Sequence, residues 1–258
     1  MKEVKIFVIA HKEIKERISD IYVPIQVGNG KDLGYIRDNT GENITCKNPN
    51  YCELTGIYWI WKNYSIPDYI GICHYRRFFE RNFINKKKIE KREILKIFKN
   101  YDIIMPKKLI LNTDVYRFYF MYGEGKEKDL NITRDVIKEL YPTYLESFDN
   151  ILKRRWGYYC NMCIMKKEDF YKYCEWLFNI LEKVEQKTDL SNYTKQQARI
   201  YGYISEILLN VWIEKNKLKI KEVYVEKTDE KIWLKLKKEG KQILRKLSIN
   251  RRLKWRNR

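Results

Sequence analysis

Histidine is nearly absent from this chain: His11 and His74 are the only two in 258 residues. That scarcity leaves little room for metal or acid–base chemistry built on imidazole. Cysteine adds little to it. Six are present, at 46, 52, 73, 160, 163 and 174. Cys160 and Cys163 form a C-x-x-C with no second pair to complete a zinc site. A redox C-x-x-C opens a helix, whereas Tyr158 to Met165 reads as a buried strand, so reduced, packed thiols are expected. Long apolar runs are missing too, and none approaches the roughly 20 residues that span a bilayer. The run Ile6 to Ala10 is too short for a signal-peptide core and no small-residue cleavage site follows it. A cytoplasmic protein is expected.

Acidic residues are in short supply, with 34 against 53 basic ones, for a formal charge of +19. Part of the excess is local. After Glu239 the chain carries Lys241, Arg245, Lys246, Arg251, Arg252, Lys254, Arg256 and Arg258, and no acid. Lys86 to Lys88, Lys91, Arg92, Lys96 and Lys99 supply much of the rest. Such a balance favours polyanions: nucleic acid, anionic lipid headgroups or phosphorylated substrates.

What is plentiful is apolar and aromatic residues, 44% and 15% of the chain. These suffice for a packed core and exclude a disordered chain. The length suits one domain, with or without an appendage. Val4 to Ala10 reads as a buried parallel strand, and Tyr22 to Val27 as a second, closed by Gly28-Asn29-Gly30. Asn48-Pro49 opens a helix that the spacing of Tyr51, Leu54, Tyr58 and Trp61 carries to Asn63. Further strands are expected at 69–73, 101–105, 158–165 and 220–225. Helices are expected at 86–99, 134–140, 170–184 and 195–215. Strands alternating with helices argue for an α/β domain with a mostly parallel, Rossmann-like sheet over residues 1–228. Residues 229–258 read as a basic amphipathic tail in which Ile243, Leu244, Leu247, Ile249, Leu253 and Trp255 interleave with the cations, as in an interfacial segment.

In open α/β sheets ligands bind beyond the carboxyl ends of the strands. The first strand delivers His11 and Lys12 there. The strand 69–73 delivers His74, Tyr75, Arg76 and Arg77. Guanidinium groups offer paired hydrogen bonds to phosphate oxygens, so this strand end is a candidate anion site. A second signal lies on the helix 195–215. Gln196, Arg199, Tyr203, Glu206 and Asn210 step along it by three or four residues. Either that stripe faces solvent, or Glu206 points into a cleft beside Arg199 as a general base.

The runs Asp38 to Ile44, Asn48 to Asn63, and Asp68 to Phe79 with its C-H-Y-R-R-F-F core resemble the DUF4422 family. Asn161 to Met165, Tyr173 to Leu177, and Gln197 to Trp212 fit the same pattern. The resemblance spans residues 4–225. It departs over 116–130, where the family leads one to expect a histidine near the Asp129-Leu130 pair and Tyr119 to Lys128 holds none. The family occurs among capsular and exopolysaccharide biosynthesis proteins treated as glycosyltransferases. The resemblance therefore implies a GT-A-like fold and transfer of a hexose, galactose in pyranose or furanose form among the candidates, from a nucleotide sugar such as a UDP-sugar to a glycan.

Most GT-A enzymes bind a divalent metal through D-x-D at a central strand end. Here that strand ends in His74-Tyr75-Arg76-Arg77, and no D-x-D follows an apolar strand. A metal-independent enzyme with no cofactor is expected, its protein cations standing in at the diphosphate. Ala10, His11, Lys12, Asp38, Asn39 and Asn43 are the candidates for contacting the nucleotide. His74, Tyr75, Arg76 and Arg77 are those for the diphosphate. Glu206, or else Asp129, is the candidate base, and Asn161, Arg199 and Tyr203 are candidates for the sugar or acceptor. The tail would hold the enzyme on the anionic inner face of the plasma membrane, near a lipid-linked acceptor. Two other classes fit the charge: a nucleic-acid-binding protein using its tyrosines for stacking, and a non-catalytic module that binds nucleotide or glycan.

Overall fold

The computed structural model describes residues 2–65, 67–81, 87–123, 125–228, 238 and 240–245. Lys86 and the tail positions Leu247, Ile249, Leu253 and Trp255 lie outside them. In chain order the strands and helices are β1 (Val4–Ala10), β2 (Tyr22–Gln26), β3 (Ile36–Arg37), α1 (Asn48–Tyr51), α2 (Leu54–Asn63), β4 (Tyr69–His74) and β5 (Arg77–Glu80). Then follow α3 (Lys91–Ile97), β6 (Ile103–Pro106), β7 (Leu109–Ile110), α4 (Val115–Gly123), α5 (Glu127–Leu140) and α6 (Leu145–Lys153). The last are β8 (Trp156–Gly157), β9 (Cys163–Lys166), α7 (Lys167–Gln186), α8 (Ile200–Lys215) and β10 (Ile220–Lys227).

β1 explains itself physically. Phe7 and Ile9 enter one core while Val4, Ile6 and Val8 enter another on the opposite face. A strand buried on both faces must be apolar throughout, which is why this run shows no alternation. β4 lies beside it, and Gly71 is required there. A Cβ at that position would come within 2.9 Å of Ile6 and 3.0 Å of Ile164.

The sheet is mixed, which corrects the expectation of a mostly parallel one. The parallel pairings are the run β3-β2-β1-β4 and the pair β10-β6. β9 runs antiparallel to β4 and to β6, and β5 antiparallel to β10. The cause lies after His74. The chain turns at once through Tyr75 and Arg76 and comes back as β5, pairing His74 with Arg77. A hairpin replaces the crossover helix that a parallel successor would need.

The helices expected over 86–99 and 195–215 shorten to α3 and α8, and two further differences shape the site. The helix expected over 48–63 is two helices, because Cys52 takes a left-handed φ of 53° and interrupts it. The strand expected over 158–165 shrinks to β9, because Cys160 and Asn161 have φ of 72° and 48°. A strand cannot continue through left-handed residues. The loop that results is held to α8 by Asn210, which is 5% exposed. Its Oδ1 accepts from the Tyr158 backbone N–H at 2.9 Å, and its Nδ2 donates to the Tyr158 carbonyl at 2.8 Å.

Removing that amide leaves a buried N–H and C=O without partners, each costing about 1–3 kcal/mol. Asn210→Ala is therefore expected to destabilise the chain by about 2–4 kcal/mol in urea unfolding. A loss within the range of ordinary surface substitutions would show that the loop is held by other contacts.

Candidate active site

The register of the sheet brings three strand ends together. Ile9 of β1 pairs with His74 of β4, and Ala10 pairs with Gln26 of β2. β9 approaches from the other direction, with Cys163 opposite Ile72. The residues just before β9 therefore meet the residues just after β4, and His74 Nε2 lies 2.6 Å from the Cys160 carbonyl oxygen. α8 packs behind this junction. Glu206 Oε1 accepts from the Cys160 backbone N–H at 2.7 Å. Asn161 Nδ2 donates to Ser205 Oγ and to Glu53 Oε1, both at 2.8 Å.

A cleft of about 780 Å³ opens at this place. Its walls include His11, Tyr75, Arg76 and Arg77 from the strand ends, and Gly28, Asn29 and Gly30 from the turn after β2. Asn48, Cys52 and Glu53 come from the α1–α2 break, Cys160 from the left-handed loop, and Arg199 and Glu206 from the start of α8. Gly28 has a φ of 73°, and a Cβ on it would meet Asn48 Oδ1 at 2.7 Å. Both backbone conformation and space call for glycine at this wall.

Three guanidinium groups, of Arg76, Arg77 and Arg199, share the cleft with two carboxyl groups, of Glu53 and Glu206. Burial and the nearby Glu53 push the Glu206 pKa up to about 8, against the opposing pull of the Cys160 N–H, Arg77 and Arg199. Near neutral pH Glu206 is thus mostly protonated and the cations dominate. Partial burial and the charges of Lys12, Arg76 and Arg199 hold His11 below the usual imidazole range. Its ring stands edge-on to Tyr75 at 4.8 Å, and the Arg76 guanidinium lies over the Tyr75 ring at 4.9 Å.

Of the residues singled out by sequence, His11, His74, Tyr75, Arg76, Arg77, Arg199 and Glu206 line the cleft together. His74 enters it in a different role from the expected one. Burial lowers its pKa, and the carbonyl contact requires its Nε2 to carry the proton. The ring is a neutral tether for the Cys160 loop rather than a cation for a phosphate. Lys12 lines an adjoining groove that also holds Tyr75 and Arg76.

Other candidates sit elsewhere. Ala10 is fully buried and offers its carbonyl to the Val27 N–H. Asp38 is fully buried behind the wall. Thr45, Thr55 and Gly28 lie near its carboxyl, yet neither oxygen reaches hydrogen-bond geometry among the described residues. Asn39 is exposed outside the cleft, and Asn43 is spent on the Gly41 carbonyl and the Thr45 N–H. Asn161 is 3% exposed, so it positions Glu53 rather than touching a ligand.

Asp129 departs furthest from its expected role. It is fully buried at the start of α5, accepting from the Lys126 N–H and from the hydroxyls of Tyr119 and Tyr193. With its oxygens so occupied it anchors a helix and is not placed to act as a base. Tyr203 lines a separate aromatic pocket that shares Glu206 with the cleft.

Sequence reasoning missed Glu53, Cys52, Cys160 and the Gly28 turn. The Gly28-Asn29-Gly30 punctuation after an apolar strand was a usable signal for the last. The others depend on left-handed backbone at Cys52 and Cys160, which no residue type announces. Cys52 and Cys160 are also not core thiols, unlike the buried Cys73, Cys163 and Cys174. Arg199 Nε approaches Cys52 Sγ at 3.1 Å.

The family model for a domain of unknown function, DUF4422, matches residues 5–217. A solved structure of similar shape is the apo form of the bifunctional glycosyltransferase WbbM, with a TM-score of 0.78 and 32% identity. The match covers 88% of this chain and 45% of that one, so this chain spans less than half of that protein's length. No curated protein matches the chain.

The cleft's electrostatics generate a pH prediction. An anion that neutralises Arg76 and Arg199 removes the charges that depress the His11 pKa. His11 then has a higher pKa bound than free, so affinity rises as pH falls through the bound value towards the free one. Calorimetry of pyrophosphate binding below pH about 7, in buffers of different ionisation enthalpy, is expected to show proton uptake that His11→Asn removes. Glu206 is already protonated there and contributes little. Binding without proton uptake would separate His11 from the anion.

Proposed function

The chain belongs to the DUF4422 family, and from that premise we propose that it is a glycosyltransferase moving a hexose from a nucleotide sugar, a UDP-sugar, to a glycan acceptor. The observation that carries this is the pairing of a cation-lined cleft at three strand ends with one raised-pKa carboxyl group, Glu206, on its far wall. The bifunctional glycosyltransferase of similar fold supports the reaction class.

In this reading the nucleoside diphosphate lies along the cleft with its phosphates against Arg76, Arg77 and, on protonation, His11. The backbone of Gly28 to Gly30 admits the nucleoside to close range. An acceptor hydroxyl oxygen attacks the anomeric carbon. The bond from that carbon to the β-phosphate oxygen breaks, and its electron pair leaves with the nucleoside diphosphate. The hydroxyl proton passes to ionised Glu206. Guanidinium groups aimed at the departing phosphate stabilise charge that grows in the transition state, the most productive place for fixed charge. A pKa near 8 makes Glu206 a stronger base, when ionised, than an ordinary carboxylate.

A GT-A fold implies a divalent metal at the diphosphate, and the residues here do not fit one. β4 ends in a tethered histidine and two arginines, and among the described residues no group of three His, Cys, Asp or Glu is placed to hold an ion. The charge of the leaving group is assigned to the protein's own cations.

The acceptor is proposed to be a lipid-linked glycan of capsular, exopolysaccharide or O-antigen type. The basic tail supports a place on an anionic membrane face. In its described part Ile243 and Leu244 are 58% and 66% exposed. Among the described residues no helix is long and apolar enough to cross a membrane.

Arg76→Ala is expected to cut transfer from a UDP-sugar by about 10²-fold or more, as loss of one stabilising donor does elsewhere. Glu206→Gln is expected to abolish transfer while UDP still binds. Wild-type kcat/KM should climb with pH up to about 8, the pKa of the free base, and persist in excess EDTA. Transfer lost in EDTA and restored by manganese would refute the cation clamp. Near-normal transfer by Glu206→Gln would remove its role as base.

A further inference from the structure

Glu206 borders two cavities. One is the cationic cleft. The other is a separate pocket of about 100 Å³, lined by Val115, Phe118, Tyr159, Tyr203 and Ile207 among others. Among the described residues Glu206 is the only one that lines both. The Phe118 and Tyr159 rings, tilted by 50° with centroids 5.1 Å apart, touch one another in the wall of this pocket. Arg199 of the cleft lies 5.8 Å from the Tyr203 ring, so the two spaces adjoin there as well.

The pocket is not uniformly apolar. The Tyr159 hydroxyl is buried beside Gly157 and has no hydrogen-bond partner among the described residues. Unbonded, it costs free energy that a ligand hydroxyl recovers when the ring turns towards the pocket. The charge of Glu206 acts on Tyr159, which places the two polar groups within reach of one another's field. The chemistry is therefore aromatic faces, one unsatisfied hydroxyl and one carboxyl group at the mouth. Sugar rings match this. Their C–H faces carry the positive edge that aromatic faces attract, and their hydroxyls take the few polar contacts that fix orientation.

We propose that this pocket is the acceptor subsite, holding the C–H face of the ring whose hydroxyl is turned towards Glu206. The assignment rests on the glycosyltransferase reading and adds a location to it. Donor and acceptor then approach the same carboxyl group from the two cavities. The pocket's small volume, the share of about three water molecules in the liquid, admits the face of a single ring. Specificity for further sugars of the acceptor would fall outside it.

Two probes separate the subsites in the full-length chain. UDP binding is followed by calorimetry, and methyl β-galactopyranoside binding by saturation-transfer NMR in the presence of UDP. Phe118→Ala and the conservative Tyr159→Phe are each expected to weaken the glycoside by about fivefold or more, leaving UDP affinity within about twofold. Retained UDP binding also shows that each variant is folded. Arg76→Ala is expected to do the reverse. The assignment is overturned if the wild-type chain does not bind the glycoside, or if both pocket variants bind it as the wild type does. A parallel loss of UDP affinity in both pocket variants overturns the division into two subsites. Glycoside binding that depends on Phe118 and Tyr159 in a chain that does not bind UDP would sustain the pocket as a sugar site and refute the donor reading.

Discussion

The left-handed turn at Cys160 and Asn161 is the constraint on which the site depends. It falls between β8 and β9, where the sheet would otherwise run on, and it faces three elements at once. His74 ties it to the end of β4, Glu206 and Ser205 tie it to α8, and the Asn161 amide reaches Glu53 at the start of α2. Each bond satisfies a group that would otherwise be buried and bare. Moving any one partner disturbs the other two, so the distance between the cationic strand ends and the carboxyl groups is fixed by the fold rather than by the cleft's own side chains. Sites held in this way, through packed side chains and a second layer of hydrogen bonds, keep the geometry that chemistry needs.

The two carboxyl groups are distinguished by that same turn. Glu53 receives an amide hydrogen bond from Asn161, whereas Glu206 receives the Cys160 backbone N–H and also lines the aromatic pocket. Burial, and after it the neighbouring Glu53, raise the Glu206 pKa. Glu206 is thereby set to exchange a proton near neutral pH.

The sequence disclosed more of the strands than of the loops. β1 was legible to the residue because burial on both faces demands an unbroken apolar run. Both histidines and both arginines at strand ends were legible as a cleft for the same reason: a strand that stops at a charge has reached solvent. The continuous helix over 48–63 was misread because Tyr51, Leu54, Tyr58 and Trp61 keep helical spacing across the break, and nothing about cysteine signals a φ of 53° at Cys52. The overlong strand before β9 failed likewise, since Tyr158 to Met162 is as apolar as a strand. Glu53 was invisible because its exposure to the cleft is a product of the first error. Asp129 looked available because one partner, Tyr193, is 64 residues away and the other, Tyr119, lies in an aromatic run with no clear periodicity.

On the proposed glycosyltransferase reading, the charges of the cleft would also bind donor and base into one system. Arg77 and Arg199 hold the Glu206 pKa down in the free protein, and they are among the groups that a diphosphate would neutralise. With the anion in place Glu206 is held less firmly in its ionised form, whereas His11 is held more firmly in its own. A bound donor therefore strengthens the base that its own transfer requires, at the expense of the fraction ionised. As the bond to the phosphate breaks, negative charge gathers on the leaving group and reinforces the tendency of Glu206 to accept a proton. Proton transfer to Glu206 and departure of the diphosphate favour one another. The arginines set the strength of that coupling, because they lie close enough to act on both charges.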